Sequence, residues 1–268
     1  MDFSEIERRG LVLLGCGKMG SAMLAGWLDQ GLEPTSVWVQ DPAPSDWLKG
    51  TGALLNAKLP ASPAIVLVAV KPQMMADALP ELAALGGGDT LFVSVAAGTS
   101  LATYADILGA DTPVVRAMPN TPAAIGRGIT AIIGSSDVTE EQLTLAEGLL
   151  RAVGQTVRLT TESQMDAVTG LSGSGPAYVF HLIECMAAAG QNQGLPPDLA
   201  MELAKATVAG AGALAAKGEE TPERLRMNVT SPNGTTQAGL EVLMDQLPTL
   251  IRATVRAATE RSKELSRD

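Results

Sequence analysis

The chain has 268 residues, a formal net charge of -10 and 46% hydrophobic content, yet only 3% of it is aromatic. That length buries a substantial core, and its packing must rest on Ala, Leu, Gly and Val. The acidic balance, with no basic run, argues against nucleic acid, whose backbone is held by clustered Lys and Arg. One histidine and two distant cysteines, Cys16 and Cys185, leave neither a disulfide framework nor a metal-ligand set, so no metal is expected. The opening MDFSEIERRG is acidic and mixed, unlike a signal sequence. No apolar stretch reaches the roughly 20 residues that a membrane span needs, so a cytoplasmic protein without membrane contact is expected.

In chain order, short apolar runs at 11–15, 36–40, 64–70, 90–95, 113–118 and 128–134 read as strands. Several are apolar on both faces, as buried parallel strands require. Helix-length segments such as 19–30, 75–85 and 101–108 lie between them. Such alternation predicts an α/β, Rossmann-type doubly wound sheet. After about 161 the strands stop. Segments 177–193 and 199–217 read as long helices, followed by a shorter one at 222–227 and two more at 235–245 and 248–265. The small-residue stretch ATVAGAGALAAKG (206–218) predicts a tight helix–helix contact, either between subunits or inside one monomer.

The first strand runs into Gly15-x-Gly17-x-x-Gly20 and then a helix. Gly15 permits the tight turn, Gly17 lets a pyrophosphate approach the backbone, and Gly20 lets the helix pack on the strand. Asp41 ends the second strand and reads in two ways. Its carboxylate could accept from the adenosine ribose and disfavour a 2′-phosphate, or it could simply start a turn before Pro42. Lys71 follows a strand at the sheet edge where ligands of open α/β folds bind.

Five further blocks stand in order behind the glycine turn: AVKPQ (69–73), SVAAG (94–98), RAMPNTP (116–122), TGLSGSGPAY (169–178) and NVTSPNGTT (228–236). With them the chain resembles the pyrroline-5-carboxylate reductases over essentially its whole length. The resemblance implies a dinucleotide-binding domain at 1–161 and an all-α substrate and dimerisation domain at 162–268. It implies a homodimer, with larger rings of dimers known in the family. The implied reaction moves a hydride from NADPH or NADH to the C=N carbon of 1-pyrroline-5-carboxylate, giving proline.

By the same resemblance, Leu14, Gly15, Cys16, Gly17, Lys18, Met19, Asn56, Ala69, Val70, Lys71, Pro72, Val95, Ala96 and Ala97 match cofactor positions. Glu162, Ser231, Gly234, Thr235 and Thr236 match substrate positions. One departure is visible: Ser231-Pro232-Asn233-Gly234 stands where the family has Ser-Pro-Gly-Gly. Asn tolerates a left-handed backbone, so the turn should persist.

The turn suits the substrate carboxylate by its backbone N–H groups, although an ordinary capped helix start would use the same residues. Thr236 Oγ can both accept from the ring nitrogen and donate to it, which suits a catalytic relay. Lys71 is the other catalytic candidate. Glu162 could orient the ring nitrogen or merely start a helix. His181 reads as a packed, hydrogen-bonded side chain of a buried helix rather than a catalyst. The bare turn 169–175 should let backbone come close to the ligands, with Pro176 in the first helical turn. A two-domain dehydrogenase of the β-hydroxyacid type would need a lysine on the helix after Gly175, and no lysine occurs there before Lys205.

Overall fold

The computed structural model describes residues 3–266. The chain divides into two compact units: everything up to Gly173 together with the chain from Ala258 onward, and Ser174–Ala257. The expected boundary after 161 is therefore not where compactness divides the chain. Met165 and Gly170 lie beyond it and are buried within the first unit.

The first unit begins with helix α1 (Ser4–Arg9) and strand β1 (Leu11–Leu14). Then follow α2 (Lys18–Asp29), β2 (Val37–Gln40), α3 (Asp46–Lys49), β3 (Leu54–Leu55), β4 (Ile65–Val68) and α4 (Met75–Ala78). After these come β5 (Leu91–Ser94), α5 (Leu101–Leu108), β6 (Val114–Met118), β7 (Gly128–Gly134), α6 (Glu140–Arg151), β8 (Gly154–Arg158) and α7 (Met165–Val168). The strands form one sheet in the order β3-β2-β1-β4-β5-β6-β7-β8. Every neighbouring pair is parallel except β6 and β7.

Central strands β1, β4, β5 and β6 are buried at every residue, as sheets covered on both faces must be. Leu11, Leu13, Ile65 and Val93 pack with Met23 and Trp27 of α2 and Leu149 of α6. Val12, Val66 and Phe92 pack on the opposite face with Met75 of α4 and Tyr104 of α5. Each such side chain contributes about 1.5–3 kcal/mol by leaving water. Trp27 also donates its indole N–H to Leu149 O at 2.8 Å, tying α2 to α6.

The doubly wound sheet is thus as expected, with two strands more than the six read from sequence. β3 is two half-buried residues, and β8 is polar and largely solvent-facing, so neither carries an apolar signal. The helix expected at 75–85 splits into α4 and a 3₁₀ segment at Pro80–Leu85, because Pro80 has no N–H to continue the ladder.

The second unit holds α8 (Gly175–Asn192), α9 (Pro197–Lys217), α10 (Pro222–Asn228) and most of α11 (Thr235–Leu265). α8 and α9 form a hairpin. The connection folds back as Leu195 N–H donates to Gly190 O at 3.1 Å. Two helices were expected at 235–245 and 248–265, but α11 runs through Pro248 for 31 residues. One missing backbone bond, worth about 3 kcal/mol with its steric cost, does not break a helix this long.

The small-residue stretch of α9 faces outward: Cβ atoms on Gly210 and Gly212 would meet nothing within 4 Å. Of the two readings of that stretch, packing inside this monomer does not hold. α9 is also long and apolar enough to cross a membrane by length and composition, which corrects the expectation that no stretch is.

Candidate functional site

Gly15 takes φ +86°, and a Cβ there would stand 2.9 Å from Val70 Cγ1. A Cβ on Gly20 would lie 2.4 Å from Gly15 O, so only glycine lets α2 start this close to β1. Gly17 differs, since a Cβ on it would meet nothing within 4 Å. Packing therefore gives no reason for glycine at 17. Gly17 is the N-cap of α2 and supplies no side-chain cap, so the first-turn N–H groups face an open cleft of about 730 Å³. An N-terminus bared beside an unfilled cradle fits a bound pyrophosphate.

Asp41 borders the same cleft. Its Oδ2 accepts from Cys16 N–H at 2.8 Å and its Oδ1 from Ala43 N–H at 2.8 Å. The turn reading of Asp41 is thus realised, and the carboxylate also ties the glycine turn to the end of β2. Each oxygen keeps a second lone pair, so a ribose hydroxyl can still be bound. Asn56, with φ +48°, clasps the Asp41 backbone: Oδ1 accepts its N–H and Nδ2 donates to its C=O, both at 2.9 Å. Cys16 is buried, and burial first, then the Asp41 charge, pushes its thiol up to about 11.

The ends of β4 and β5 continue the edge. Ala69 N–H donates to Leu14 O at 2.8 Å, Val95 N–H to Val68 O at 3.0 Å, and Ala96 N–H to Ser94 Oγ at 3.2 Å. Lys71 is exposed just past β4, and Pro72 opens the 3₁₀ turn Pro72–Met74. Leu14 through Met19, Asp41, Asn56, Ala69 through Pro72 and Val95 through Ala97 thus gather on the C-terminal edge of adjacent strands. Ligands of doubly wound sheets bind at that edge.

Glu162 has partners that the sequence did not reveal. Its Oε1 accepts from Arg116 Nη1 at 2.7 Å and from Leu101 N–H, at the start of α5, at 2.8 Å. The Arg116 side chain is only 5% exposed, and its Nε is buried with no hydrogen-bond partner among the described residues. Beside it, Tyr104 and Ser94 join their hydroxyls, and burial raises the Tyr104 phenol above its ordinary range. Arg116 lies in the RAMPNTP block without a role among the sequence expectations, and the structure makes it the partner of Glu162. Its signal was a charge inside the apolar strand PVVRAM.

In the second unit, the turn before α11 is formed as expected. Asn233 takes φ +59°, and its N–H donates to Gln237 Oε1 at 2.8 Å. Gly234 N–H closes the turn onto Ser231 O at 3.0 Å. Ser231, Thr235 and Thr236 are exposed around it. His181 is not in a core: its side chain is 75% exposed and pairs Nδ1 with Glu184 at 3.0 Å. The burial expected of α8 is absent within one chain, where Ala187 is its sole buried residue.

The fold and the turn define a Rossmann-type dinucleotide-binding protein with a separate all-helical unit. A family model for pyrroline-5-carboxylate reductase dimerisation matches residues 162–265, and one for NADP oxidoreductase, coenzyme F420-dependent, matches 10–98. The pyrroline-5-carboxylate reductase of Synechocystis sp. is 40% identical over 266 residues, 96% of this chain and 98% of that protein. The solved pyrroline-5-carboxylate reductase of Coxiella burnetii superposes with a TM-score of 0.92 at 32% identity, over 96% of this chain and 98% of that one. The Plasmodium falciparum pyrroline carboxylate reductase, solved with NADP bound, gives 0.84 at 26% identity over 97% and 99%. The chain belongs to the pyrroline-5-carboxylate reductase family.

Proposed function

We propose that the chain reduces 1-pyrroline-5-carboxylate to L-proline with a hydride from NADPH or NADH, the last step of proline biosynthesis. The observation that carries this is full-length family membership on a chain whose Gly17 is spared for a ligand rather than for packing. The reduced nicotinamide, when bound, supplies the hydride to the imine carbon.

The chain's own residues supply position and a proton path. Gly17 and the first turn of α2 hold the pyrophosphate, Asp41 takes a ribose hydroxyl, and Asn56 keeps Asp41 in place. Lys71 and residues 95–97 border the reacting end. The turn with Ser231, Gly234 and Thr235 binds the substrate carboxylate through N–H and hydroxyl groups. Thr236 Oγ accepts from the protonated imine nitrogen. Hydride addition leaves that nitrogen a neutral amine, and the hydroxyl turns to donate to its lone pair, giving up its proton as it takes another from solvent, so that the ammonium of proline forms. Glu162 spends Oε1 on Arg116 and Leu101, which leaves Oε2 as its remaining acceptor. With position, a hydride and one relayed proton, no covalent nucleophile is needed.

The helical unit works in a homo-oligomer, in keeping with the dimerisation family model across it. We extend this to rings of dimers in the cytoplasm, with α9 covered by protein rather than lipid. The test is loss of reduced-nicotinamide absorbance when pyrroline-5-carboxylate is added to the pure protein, with proline as the product. Cofactor binding without turnover would instead make the chain a nucleotide-dependent regulator and overturn the enzymatic reading.

A further inference from the structure

We infer that Trp47 is the platform on which the adenine ring of the dinucleotide stacks. This rests on the reading of the cleft beside Gly17 as the dinucleotide site. The chain has three tryptophans, and two have evident structural duties. Trp27 is fully buried and hydrogen-bonded, and Trp38 is packed against the core on β2. Trp47 is 45% exposed, although an indole left in water forgoes one of the largest burials available to any side chain.

Its place is built rather than incidental. In α3, Ser45 Oγ accepts from Leu48 N–H at 3.2 Å, and Thr51 Oγ donates to Leu48 O at 2.8 Å. Leu48 is fully buried and anchors the turn, which leaves the neighbouring Trp47 ring on the cleft side. Gly17 at the helix start, Asp41, Ala43, Ser45 and Trp47 all line this one cleft, and the chain leads from Asp41 through Ala43 and Ser45 to Trp47. In a dinucleotide the adenosine ribose joins the pyrophosphate to the base. With pyrophosphate on Gly17 and ribose at Asp41, the next group outward is a flat purine. An exposed indole face is suited to stack on a purine.

Calorimetry tests this with 2′,5′-ADP, which carries only the adenine half, and with NADP⁺. Trp47→Ala should weaken both by the same factor, roughly tenfold. Trp47→Phe should recover most of the loss, with the thermal midpoint unchanged in both variants. Tryptophan emission of the wild type should fall on adding 2′,5′-ADP, and that fall should shrink in Trp47→Phe. Wild-type affinity in Trp47→Ala would overturn the platform while leaving the cleft assignment intact. Failure of the wild type to bind these compounds and also NAD⁺ and ADP-ribose, which lack the 2′-phosphate, would overturn both.

Discussion

In the sheet unit Val12, Leu13, Val66 and Phe92 are fully buried, whereas in the helical unit Phe180 is 59% exposed, Leu203 48% and Val242 65%. Both units are rich in apolar residues, so composition does not separate them. Topology does. Crossover helices close both faces of a doubly wound sheet within one chain. A helical hairpin can cover only one stripe of each helix, and the remaining apolar faces must find another surface. The first unit completes its own core, and the second is a half-core that a further copy completes, as the dimerisation family model across it implies.

The sharpest way to break this comparison is a charge on the displayed face. Leu203→Asp should yield monomers by light scattering and lower activity by about a hundredfold or more, since an unpaired charge in an apolar interface costs several kcal/mol. An oligomeric, fully active variant would mean that this face is not the interface. In the sheet unit the matching change is polar. Glu162→Gln leaves the buried Arg116 guanidinium without its counter-charge. Breaking a buried pair costs about 3–5 kcal/mol. Glu162 is 32% exposed, so a loss near about 3 kcal/mol and a thermal midpoint lower by several degrees are expected. An unmoved midpoint would show that the pair supports nothing.

Thr236→Val separates chemistry from packing. Thr236 is exposed, so the midpoint should hold while kcat/KM falls about 10- to 150-fold. That range is the loss of one hydrogen bond to a charged partner, about 1.5–3 kcal/mol, at about 1.36 kcal/mol per factor of ten. Cofactor affinity should barely change. The smallest effect belongs to His181→Asn, which should stay within a few fold in rate. If His181 proves essential and Thr236 dispensable, the proton relay has been placed on the wrong side chain.

What could be read from sequence was what is local. The glycine turn declares itself within Gly15–Gly20, and Asn233 within a four-residue motif, because each is a backbone requirement written at its own position. Arg116 and Glu162 lie 46 residues apart, and nothing near either names the other. β3 and β8 are edge-side strands with no apolar alternation to find. Pro80 and Pro248 carry the same local signal with opposite outcomes. The first ends a helix four residues long, and the second sits inside one of 31, so helix length decides what a proline does. The exposure of His181 was illegible for a different reason: an apolar helix reads the same whether its cover comes from its own chain or from another.

The last stretch of α11 belongs to the first unit, not the second. Ser262 is buried and donates its hydroxyl to Asp166 Oδ1 at 2.7 Å, and Leu265 O lies 3.3 Å from where a Cβ on Gly98 would be. On the ribosome, domains usually fold as they emerge, the N-terminal one first. Here the nucleotide-binding unit waits until the whole helical unit has been made, because its final segment follows that unit in sequence. A nonsense codon near 258 would spare nearly all of the helical unit and strike the unit whose synthesis began first.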